Sequence, residues 1–380
     1  MAKDENTQEG TRAELWASTM RGHDFVAPDA VVAHQDSYAT FELVDVVGRE
    51  AREQLERDTL AKGATPAVGA GDRAVQEQPD AYRTCFERDR DRVLHSSSFR
   101  RLAGKTQVFV FPDDHQRTRM THALEVAQVA SAISRALGLN CALTEAIALA
   151  HDCGHGPGGH PSEEAFAPFI EGGYDHAVWG ADVTLSSLNL TRQVLDGVRN
   201  HSWSRPAPST PEGEVLSWAD RCAYCAHDLE DAVAAKIVDQ RDIPAIVSDR
   251  CGTRRNSQLN AFVRDLIETS RANGRISMSA DMAEALAVLR AFNYERIYTR
   301  DDSLIQGERV ARLLSALVEH FIEHPTGDDE QIIERNSDLA VMRAVTYVGG
   351  MTDRYACMTA VRLLDWPVDQ LPVGLDVDRS

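Results

Sequence analysis

The stretch RTRMTHALEVAQVASAISRALGLNCALTEAIALAHDCGHGPGGH, residues 117–160, joins two helical patterns to a segment rich in histidine and glycine. In its first half, apolar residues recur at three- and four-residue steps, which is typical of an amphipathic helix. These apolar residues are Met120, Ala123, Leu124, Ala127, Ala130, Ile133 and Leu137. Gly138 is a natural stop for this helix, and a second helix is predicted over 142–152, ending at Gly154.

Helical spacing continues through most of the chain. The stretch 63–80 is rich in Gly, Ala and Pro and is predicted to be a loop. Further helices are predicted over 43–62, 161–169, 185–200, 214–238, 259–273, 279–294, 308–324 and 338–364. Alternating β-branched runs are few, so the sequence predicts an all-α, mostly helical single domain over 49–380, preceded by a variable N-terminal extension over 1–48.

Composition narrows the class of ligand. The formal net charge of the 380 residues is -19, which argues against nucleic acid as the main ligand, because phosphate backbones are bound by basic surfaces. Nearly all the positive charge is arginine, whose forked guanidinium suits phosphate oxygens. This composition favours a phosphorylated small molecule.

The chain carries no apolar run of the roughly 20 residues that a membrane span requires, and its start, MAKDENTQEG, does not look like a signal peptide. We therefore expect a cytoplasmic protein without a membrane partner. Seven scattered cysteines are expected to be reduced thiols. The CxxC formed by Cys222 and Cys225 is interpreted as two small apolar helix residues rather than as a metal or redox site.

Two histidines and a carboxylate stand at facing helix ends. His122 lies in the first turns of one predicted helix, and His151 and Asp152 lie in the last turn of the next. Helices joined by a short link usually pack antiparallel, which brings these ends together. Two imidazoles and a carboxylate suit Mn, Fe, Co, Ni or Zn, and Mg less well. Asp220 is the candidate fourth ligand. Taken alone, each histidine is more often a helix cap or a surface residue than a ligand.

A stripe of polar residues follows Asp220 along its helix. Asp220, Tyr224, Asp228 and Asp231 stand at i, i+4, i+8 and i+11 and share one face. The simpler interpretation is a solvated acidic face. If Asp220 binds a metal, however, Tyr224 and Asp228 project into the same cavity, where a sugar would fit.

Together with three further segments, these residues resemble a known family. The segments are RTCFERDRDRVLHSSSFRRLAGKTQVF (83–109), EVLSWADRCAYCAHDLEDAV (214–233) and YVGGMTDRYA (347–356). The chain is similar to the HD-domain superfamily of metal phosphohydrolases, named for an adjacent His-Asp pair, and specifically to its deoxyguanosine triphosphate triphosphohydrolase branch. The resemblance begins near residue 50 and covers about four fifths of the chain.

The resemblance implies the helical HD phosphohydrolase fold and hydrolysis of dGTP or several deoxynucleoside triphosphates to a deoxynucleoside and inorganic triphosphate. The implied cofactor is a divalent metal ion, Mn or Mg first, with Fe, Co, Ni or Zn as alternatives. It also implies a homo-oligomer, either a hexamer or a tetramer. Two alternatives stay open: another nucleotide phosphohydrolase of the superfamily (a monophosphatase or phosphodiesterase) and a non-catalytic nucleotide sensor.

Site roles carry over by position from the resemblance. The implied metal ligands are His122, His151, Asp152 and Asp220. The implied acid/base pair is His160 and Glu163. The implied phosphate contacts are Arg119, His155, His176 and Arg221. The implied nucleoside contacts are Gln107 and Val108, with Tyr224 facing the position of a 2′-hydroxyl and Asp228 accepting from the 3′-hydroxyl.

Two departures from the family pattern stand close to these residues. Relatives usually carry an aromatic residue where Gly158 stands, and a different stretch follows His176. We expect the additional glycine to make the loop before His160 more flexible. Asp353 and Arg354 are expected to line the pocket, to form a subunit contact, or to make a buried ion pair. The remaining candidate histidines are interpreted as structural or surface residues: His201, His227, His320 and His324.

Overall fold

The computed structural model describes residues 11–19, 22–24, 30–42, 45–112, 115–325 and 337–374. The chain divides into two compact units, 1–46 and 47–380. In the first unit, helix α1 (Arg12–Thr19) precedes two short antiparallel strands, β1 (His23–Asp24) and β2 (Val31–Val32). The proposed boundary at residue 48 stays a prediction.

The second unit is helical, which confirms the all-α prediction. Its described helices are α2 (Arg49–Thr59), α3 (Cys85–His95), α4 (Ser97–Arg101), α5 (Arg119–Leu137), α6 (Cys141–Ala150), α7 (Pro161–Phe166), α8 (His176–Trp179), α9 (Arg192–Arg199), α10 (Pro211–Ala234), α11 (Ala245–Cys251), α12 (Arg255–Asn273), α13 (Ala280–Asn293), α14 (Asp301–Glu323), α15 (Asp338–Gly349) and α16 (Asp353–Leu364). Among the helices that the structure describes, none combines the length and apolar character needed to cross a bilayer.

Capping residues define the ends of α5 and the start of α6. The Thr118 hydroxyl accepts from the Thr121 amide at the start of α5, and Gly138 ends it in the left-handed region at φ 68°. Two residues later the Asn140 side chain accepts from the Leu143 amide and starts α6. The short link therefore folds the two helices against each other.

Several predicted boundaries were wrong. The single helix expected over 338–364 is two helices, because Thr352 caps a new start at Asp353. The helix expected over 214–238 begins earlier, at Pro211, where Thr210 accepts from the Gly213 amide. The expected helix over 161–169 becomes 3₁₀ after Phe166, and that over 185–200 starts only at Arg192. The start of the helix expected over 43–62 falls on residues 43–44, outside the described residues, and the observed helix α2 runs over Arg49–Thr59.

Two hydrophobic clusters build the second unit. The larger contains buried side chains from α3, α5, α6, α9, α10, α12 and α13. The smaller joins α7 to the C-terminal helices through Phe166, Leu314, Val345 and Ala360. One large cavity is lined by residues of α5 and α10 from the larger cluster's side and by Ser303, Gln306 and Gly307 of α14 from the smaller cluster's side, so both packing regions shape it.

Candidate metal centre

Three predicted metal ligands converge in the structure. His122 lies in the first turn of α5, His151 directly follows α6, and Asp220 lies on α10. Their possible ligand atoms lie within 4.8 Å of one another. Asp220 Oδ1 is 3.1 Å from Nε2 of His122 and 3.7 Å from Nε2 of His151.

The imidazole of His151 has one ring nitrogen bonded to the backbone and the other available to a ligand. Nδ1 lies 2.6 Å from the Ala148 carbonyl oxygen, so it carries the proton and donates to that carbonyl. Nε2 is the ring nitrogen left to face a ligand, and it is buried without a hydrogen-bond partner among the described residues. Metal-bound histidines commonly donate their other ring nitrogen in this way. An N₂O donor set with a bare buried nitrogen fits a divalent cation.

The fourth predicted ligand, Asp152, lies between this cluster and a second group of histidines. Its Oδ1 is 3.5 Å from Nε2 of His151 and 3.2 Å from Nε2 of His155, and its Oδ2 accepts from Nη1 of Arg119 at 2.8 Å. Burial alone would raise the pKa of Asp152, but the Arg119 guanidinium holds it well below its usual range. Asp152 is therefore an ionised carboxylate that touches both groups.

The second group is organised around His176. Its ring stacks on that of His155, with centroids 3.7 Å apart, and its Nδ1 lies 2.8 Å from Glu163 Oε1. Its Nε2 lies 3.3 Å from Nε2 of His201, whose own Nδ1 is 2.7 Å from the Val198 carbonyl oxygen. Because His201 donates from Nδ1, its Nε2 accepts, and His176 donates from both ring nitrogens. Burial opposes this charge, but the bond to Glu163 raises the pKa of His176.

The predicted acid/base residues stand on the same wall. His160 precedes Pro161 at the start of α7 and exposes its ring to the cavity. One ligand atom from each of His160, His155 and Glu163 lies within 4.8 Å of the other two: a ring nitrogen from each histidine and a carboxylate oxygen from Glu163. The short hydrogen bond of Glu163, however, is made with His176, so the expected His160–Glu163 pair includes a third member.

Two predicted phosphate contacts present guanidinium groups to the cavity. Arg119 is buried, and its Nε and Nη2 find no hydrogen-bond partner in the described part of the chain. Buried donors without partners are rare in folded proteins, so these nitrogens are candidates for binding a ligand. The guanidinium of Arg221 lies 3.4 Å from the ring centroid of Trp203, which also borders the cavity. Arg221 is thus held by a cation–π contact rather than by a carboxylate.

The predicted nucleoside contacts line the far end of the cavity. Nε of Arg290 donates to the Tyr224 hydroxyl at 2.8 Å, and the Tyr298 hydroxyl donates to Oδ2 of Asp228. Oδ1 of Asp228 is buried and, within the described residues, unpartnered. Burial raises the pKa of Asp228 to about 7.

Gln107 and Val108 border the same cavity, and Gln107 Oε1 is likewise buried without a partner among the residues described. Asp231, the last residue of the predicted stripe, borders the cavity too but is held by an ion pair with Arg117.

Gly158 has a packing role that contradicts the expected flexibility. Its φ is 73°, a left-handed conformation that side chains rarely adopt, and an added Cβ would overlap the side chain of Val310 on α14. Its amide donates to Oδ1 of Asp353 at 2.7 Å. The loop over 151–159 is buried throughout. Val310 therefore fills the space beside Gly158, and the loop is pinned instead of loose.

The sequence missed several residues of the site. His201 is buried in the cavity wall, so it is not a surface residue, and its interpretation as a structural residue stays a prediction. The sequence carries a signal for it, since His201 follows α9 as His151 follows α6, and each donates Nδ1 to the carbonyl three residues earlier. Arg290 lies 66 residues from its partner Tyr224, and Tyr298 lies 70 residues from its partner Asp228. No local spacing in the sequence predicts either contact.

The residues interpreted as inert lie apart from these clusters. His227 is buried, and His320 and His324 stack on each other on α14 and just after it. All seven cysteines belong to the described residues and are free thiols there, and burial raises the pKa of Cys222 and Cys225.

Comparison with known proteins agrees with this geometry. The HD domain family model matches residues 119–225, which contain the three converging ligands, and the phosphohydrolase-associated domain model matches residues 276–362. A deoxyguanosinetriphosphate triphosphohydrolase-like protein of Caldanaerobacter subterraneus subsp. tengcongensis is 39% identical, with 82% of this chain and 94% of the relative covered. A protein of the same name from Clostridium perfringens (strain SM101) is 37% identical, covering 81% and 94%.

A solved structure described as a hypothetical protein from Aquifex aeolicus superposes on the chain with a TM-score of 0.44 and 16% identity, covering 73% of this chain and 71% of that one. The family is established by the sequence relatives. The chain belongs to the deoxyguanosinetriphosphate triphosphohydrolase-like family of HD-domain proteins, which are metal-dependent phosphohydrolases.

Proposed function

We propose that the protein hydrolyses deoxynucleoside triphosphates, dGTP or several of them, to a deoxynucleoside and inorganic triphosphate. The observation that carries this proposal is one continuous cavity of about 1540 Å³, which is larger than the roughly 300–1,000 Å³ of common small-molecule sites. Side chains at one end suit a metal and phosphate, and those at the other suit a sugar. A nucleotide with a long phosphate chain uses both ends.

The metal is proposed to be held by His122, His151, Asp152 and Asp220, with Mn or Mg as the first candidates. The bare Nε2 of His151 and the converging carboxylate of Asp220 support this assignment. When bound, a divalent cation at this position supplies Lewis-acid polarisation of phosphoryl oxygens.

The triphosphate is proposed to lie against Arg119, His155 and Arg221. The two unpartnered N–H groups of Arg119 are already desolvated, so an anion that meets them replaces no protein contact. His176 is a weaker candidate for direct phosphate contact, because both its ring nitrogens are engaged by Glu163 and His201. We propose instead that His176 fixes the Glu163 carboxylate.

Proton transfer at the attacking water or the leaving 5′-oxygen is proposed for His160 with Glu163. His160 has the exposure to the cavity that this role requires, and the carboxylate of Glu163 lies close enough to orient an imidazole or a water. Burial would raise the pKa of Glu163, but the hydrogen bond from His176 keeps it lowered, so the carboxylate is ionised near neutral pH.

The deoxyribose is proposed to lie between Tyr224 and Asp228, near Gln107 and Val108. The Tyr224 hydroxyl is fixed by Arg290, so its ring occupies a defined place where a 2′-hydroxyl would project. The free Oδ1 of Asp228 can accept from a 3′-hydroxyl. Both features support a preference for deoxynucleotides over ribonucleotides.

The test is product identity. The purified protein is incubated with each dNTP and each rNTP plus Mn or Mg, and the products are separated by ion exchange. Inorganic triphosphate from dNTPs is the expected result. Release of pyrophosphate or monophosphate would contradict the proposal in favour of another phosphohydrolase, and binding without turnover would favour a nucleotide sensor. Light scattering on the same preparation tests the expected hexamer or tetramer.

Two variants separate metal binding from proton transfer. Asp152→Ala is expected to lose both bound metal and turnover, because its carboxylate is the charge shared by the two clusters. Glu163→Ala is expected to lose turnover and keep the metal. Unchanged metal content in Asp152→Ala, measured by elemental analysis, would remove Asp152 from the ligand set.

A further inference from the structure

A buried carboxylate joins two walls of the cavity without bordering it. Asp353, the first residue of α16, is 6% exposed. Its Oδ2 accepts from the Thr106 amide at 2.9 Å and from the Thr106 hydroxyl at 2.6 Å, and its Oδ1 accepts from the Gly158 amide at 2.7 Å. One side chain of the C-terminal helices thus holds two segments that are 52 residues apart in the sequence, from 106 to 158.

Lys105 makes a parallel connection. It is 3% exposed, and its Nζ donates to the His155 carbonyl oxygen and, at 2.8 Å, to the Gly349 carbonyl oxygen at the end of α15. The segment 105–106 and the loop 155–158 are therefore tied twice to the turn between α15 and α16. The ammonium of Lys105 is also the cation near Asp353.

The two tied segments lead directly into the proposed substrate contacts. Thr106 precedes Gln107 and Val108, which border the cavity and are the proposed nucleoside contacts, and Gly158 stands two residues before His160. A shift of either segment changes the distance between the bound nucleoside and the proton-transfer wall. Misplacement by about 1 Å commonly costs on the order of 100-fold in rate.

We propose that Asp353 is a positioning residue for hydrolysis, which with Lys105 sets the His155–His160 loop against the Gln107–Val108 wall. The proposal rests on the proposed function, since it assigns substrate contact to those residues. It gives Gly349 and Asp353, which flank the turn between α15 and α16, a role in turnover: their hydrogen bonds hold the loop and the wall in register.

Only a carboxylate satisfies this site. Asp353 receives three donors, and an ionised carboxylate is an acceptor at both oxygens. In Asp353→Asn, the side-chain oxygen can accept from Thr106, but the NH₂ group then faces the Gly158 amide. Both of these groups are donors, so no hydrogen bond forms between them. The isosteric variant therefore breaks the connection to the loop while keeping the size of the side chain.

The experiment compares Asp353→Asn, Thr106→Val and the matched control Thr352→Ala. Thr352 caps the same helix by accepting from the Tyr355 amide, so its loss weakens α16 without touching the three bonds of Asp353. For Asp353→Asn we expect kcat for the best dNTP to fall roughly 10- to 100-fold, with KM and metal content changed less than about threefold. Thr106→Val loses one of three bonds and should fall between this variant and wild type, and Thr352→Ala should keep kcat.

Hydrogen exchange supplies a readout that needs no turnover. In Asp353→Asn, amide exchange should speed up about tenfold or more in both 105–108 and 155–160 and stay unchanged over 214–233. Faster exchange confined to 353–364, or equal losses of kcat in Thr352→Ala and Asp353→Asn, would overturn the proposal. A wild-type protein that fails to hydrolyse dNTPs would contradict the proposed function, and the exchange pattern would still decide whether Asp353 positions the loop.

Discussion

The two ends of the cavity differ in which polar groups they leave without partners. At the metal end, the described residues leave Nε2 of His151 and two nitrogens of Arg119 buried and without partners. At the nucleoside end, the Tyr224 hydroxyl and Oδ2 of Asp228 are already bonded to Arg290 and Tyr298. The first end leaves donors and a ring nitrogen for a ligand, and the second combines bonded groups with two acceptors that lack partners among the described residues, Oδ1 of Asp228 and Oε1 of Gln107.

This difference suggests separate roles for the two ends, one in hydrolysis and one in the choice of nucleotide. A buried polar atom without a partner costs about 1–3 kcal/mol, which a bound ion or phosphate recovers. The metal end should therefore decide whether the reaction occurs. A preformed and satisfied wall discriminates by shape and by the few atoms it leaves free, so the nucleoside end should decide which nucleotide reacts.

The largest predicted effect comes from breaking the metal end on α10. Asp220→Ala should lower kcat on the order of 1,000-fold and reduce bound metal, because Lewis-acid stabilisation of the transition state is worth several kcal/mol. Elemental analysis and steady-state kinetics with the preferred dNTP measure both effects.

Asp228→Asn is the matched control, since it lies two turns further along the same face of the same helix. It should keep the metal and raise KM for the dNTP more than it lowers kcat. Equal loss of metal in both variants would mean that α10 acts as one structural unit and that the two ends are not functionally distinct.

The second prediction uses pH to sharpen the contrast at Asp228. Burial raises its pKa to about 7. Between the unfolded pKa near 3.8 and this value, the folded state binds the proton more tightly, so stability falls as pH rises and levels off above pH 7. Relative to Asp228→Asn, wild type should lose about 1.4 kcal/mol of unfolding free energy per pH unit between pH 5 and 6, and less as the pH approaches 7.

Denaturant unfolding of the metal-free protein at pH 5, 6, 7 and 8 measures this slope. Parallel pH profiles for wild type and Asp228→Asn would show that the folded protein already ionises Asp228 at pH 5, and the nucleoside end would then carry a charge that another group balances.

The same contrast explains what the sequence could predict. His122 and His151 lie at helix ends whose positions follow from periodicity and from stops such as Gly138, so the sequence could place these two together. Asp220 lies inside α10 and is a candidate because the apolar residues around it predict a packed helix face. The resemblance then gave roles to residues that spacing had only brought near one another. The family and the all-α fold followed from the same pattern.

What escaped the sequence depends on tertiary packing. Arg290 and Tyr298 reach Tyr224 and Asp228 because α13 packs on α10, and no short-range pattern encodes that contact. The conformation at Gly158 depends on Val310 of α14, so composition alone suggested a loose loop where the structure has a filled one. Which residues of two distant helices contact each other depends on how whole side chains pack. The periodicity of the sequence carries no information about that packing.

The smallest predicted effect tests whether the satisfied wall selects the sugar. Arg290→Met keeps much of the side-chain length but removes the donor to the Tyr224 hydroxyl, so the phenol ring gains freedom to move away from a 2′-hydroxyl. The ratio of kcat/KM for dNTP over rNTP should fall about tenfold, while kcat for the preferred dNTP changes less than threefold.

Arg296→Met is the control for that variant, because Arg296 is half exposed, follows α13 and pairs with Asp242 instead of with Tyr224. It should leave the sugar preference unchanged. If Arg290→Met lowers dNTP turnover as strongly as Asp220→Ala, Arg290 takes part in the chemistry, and the division of labour between the two ends is wrong. If the ratio stays constant while turnover is normal, packing alone keeps the Tyr224 ring in place on α10, and selection depends on the ring rather than on its hydrogen bond.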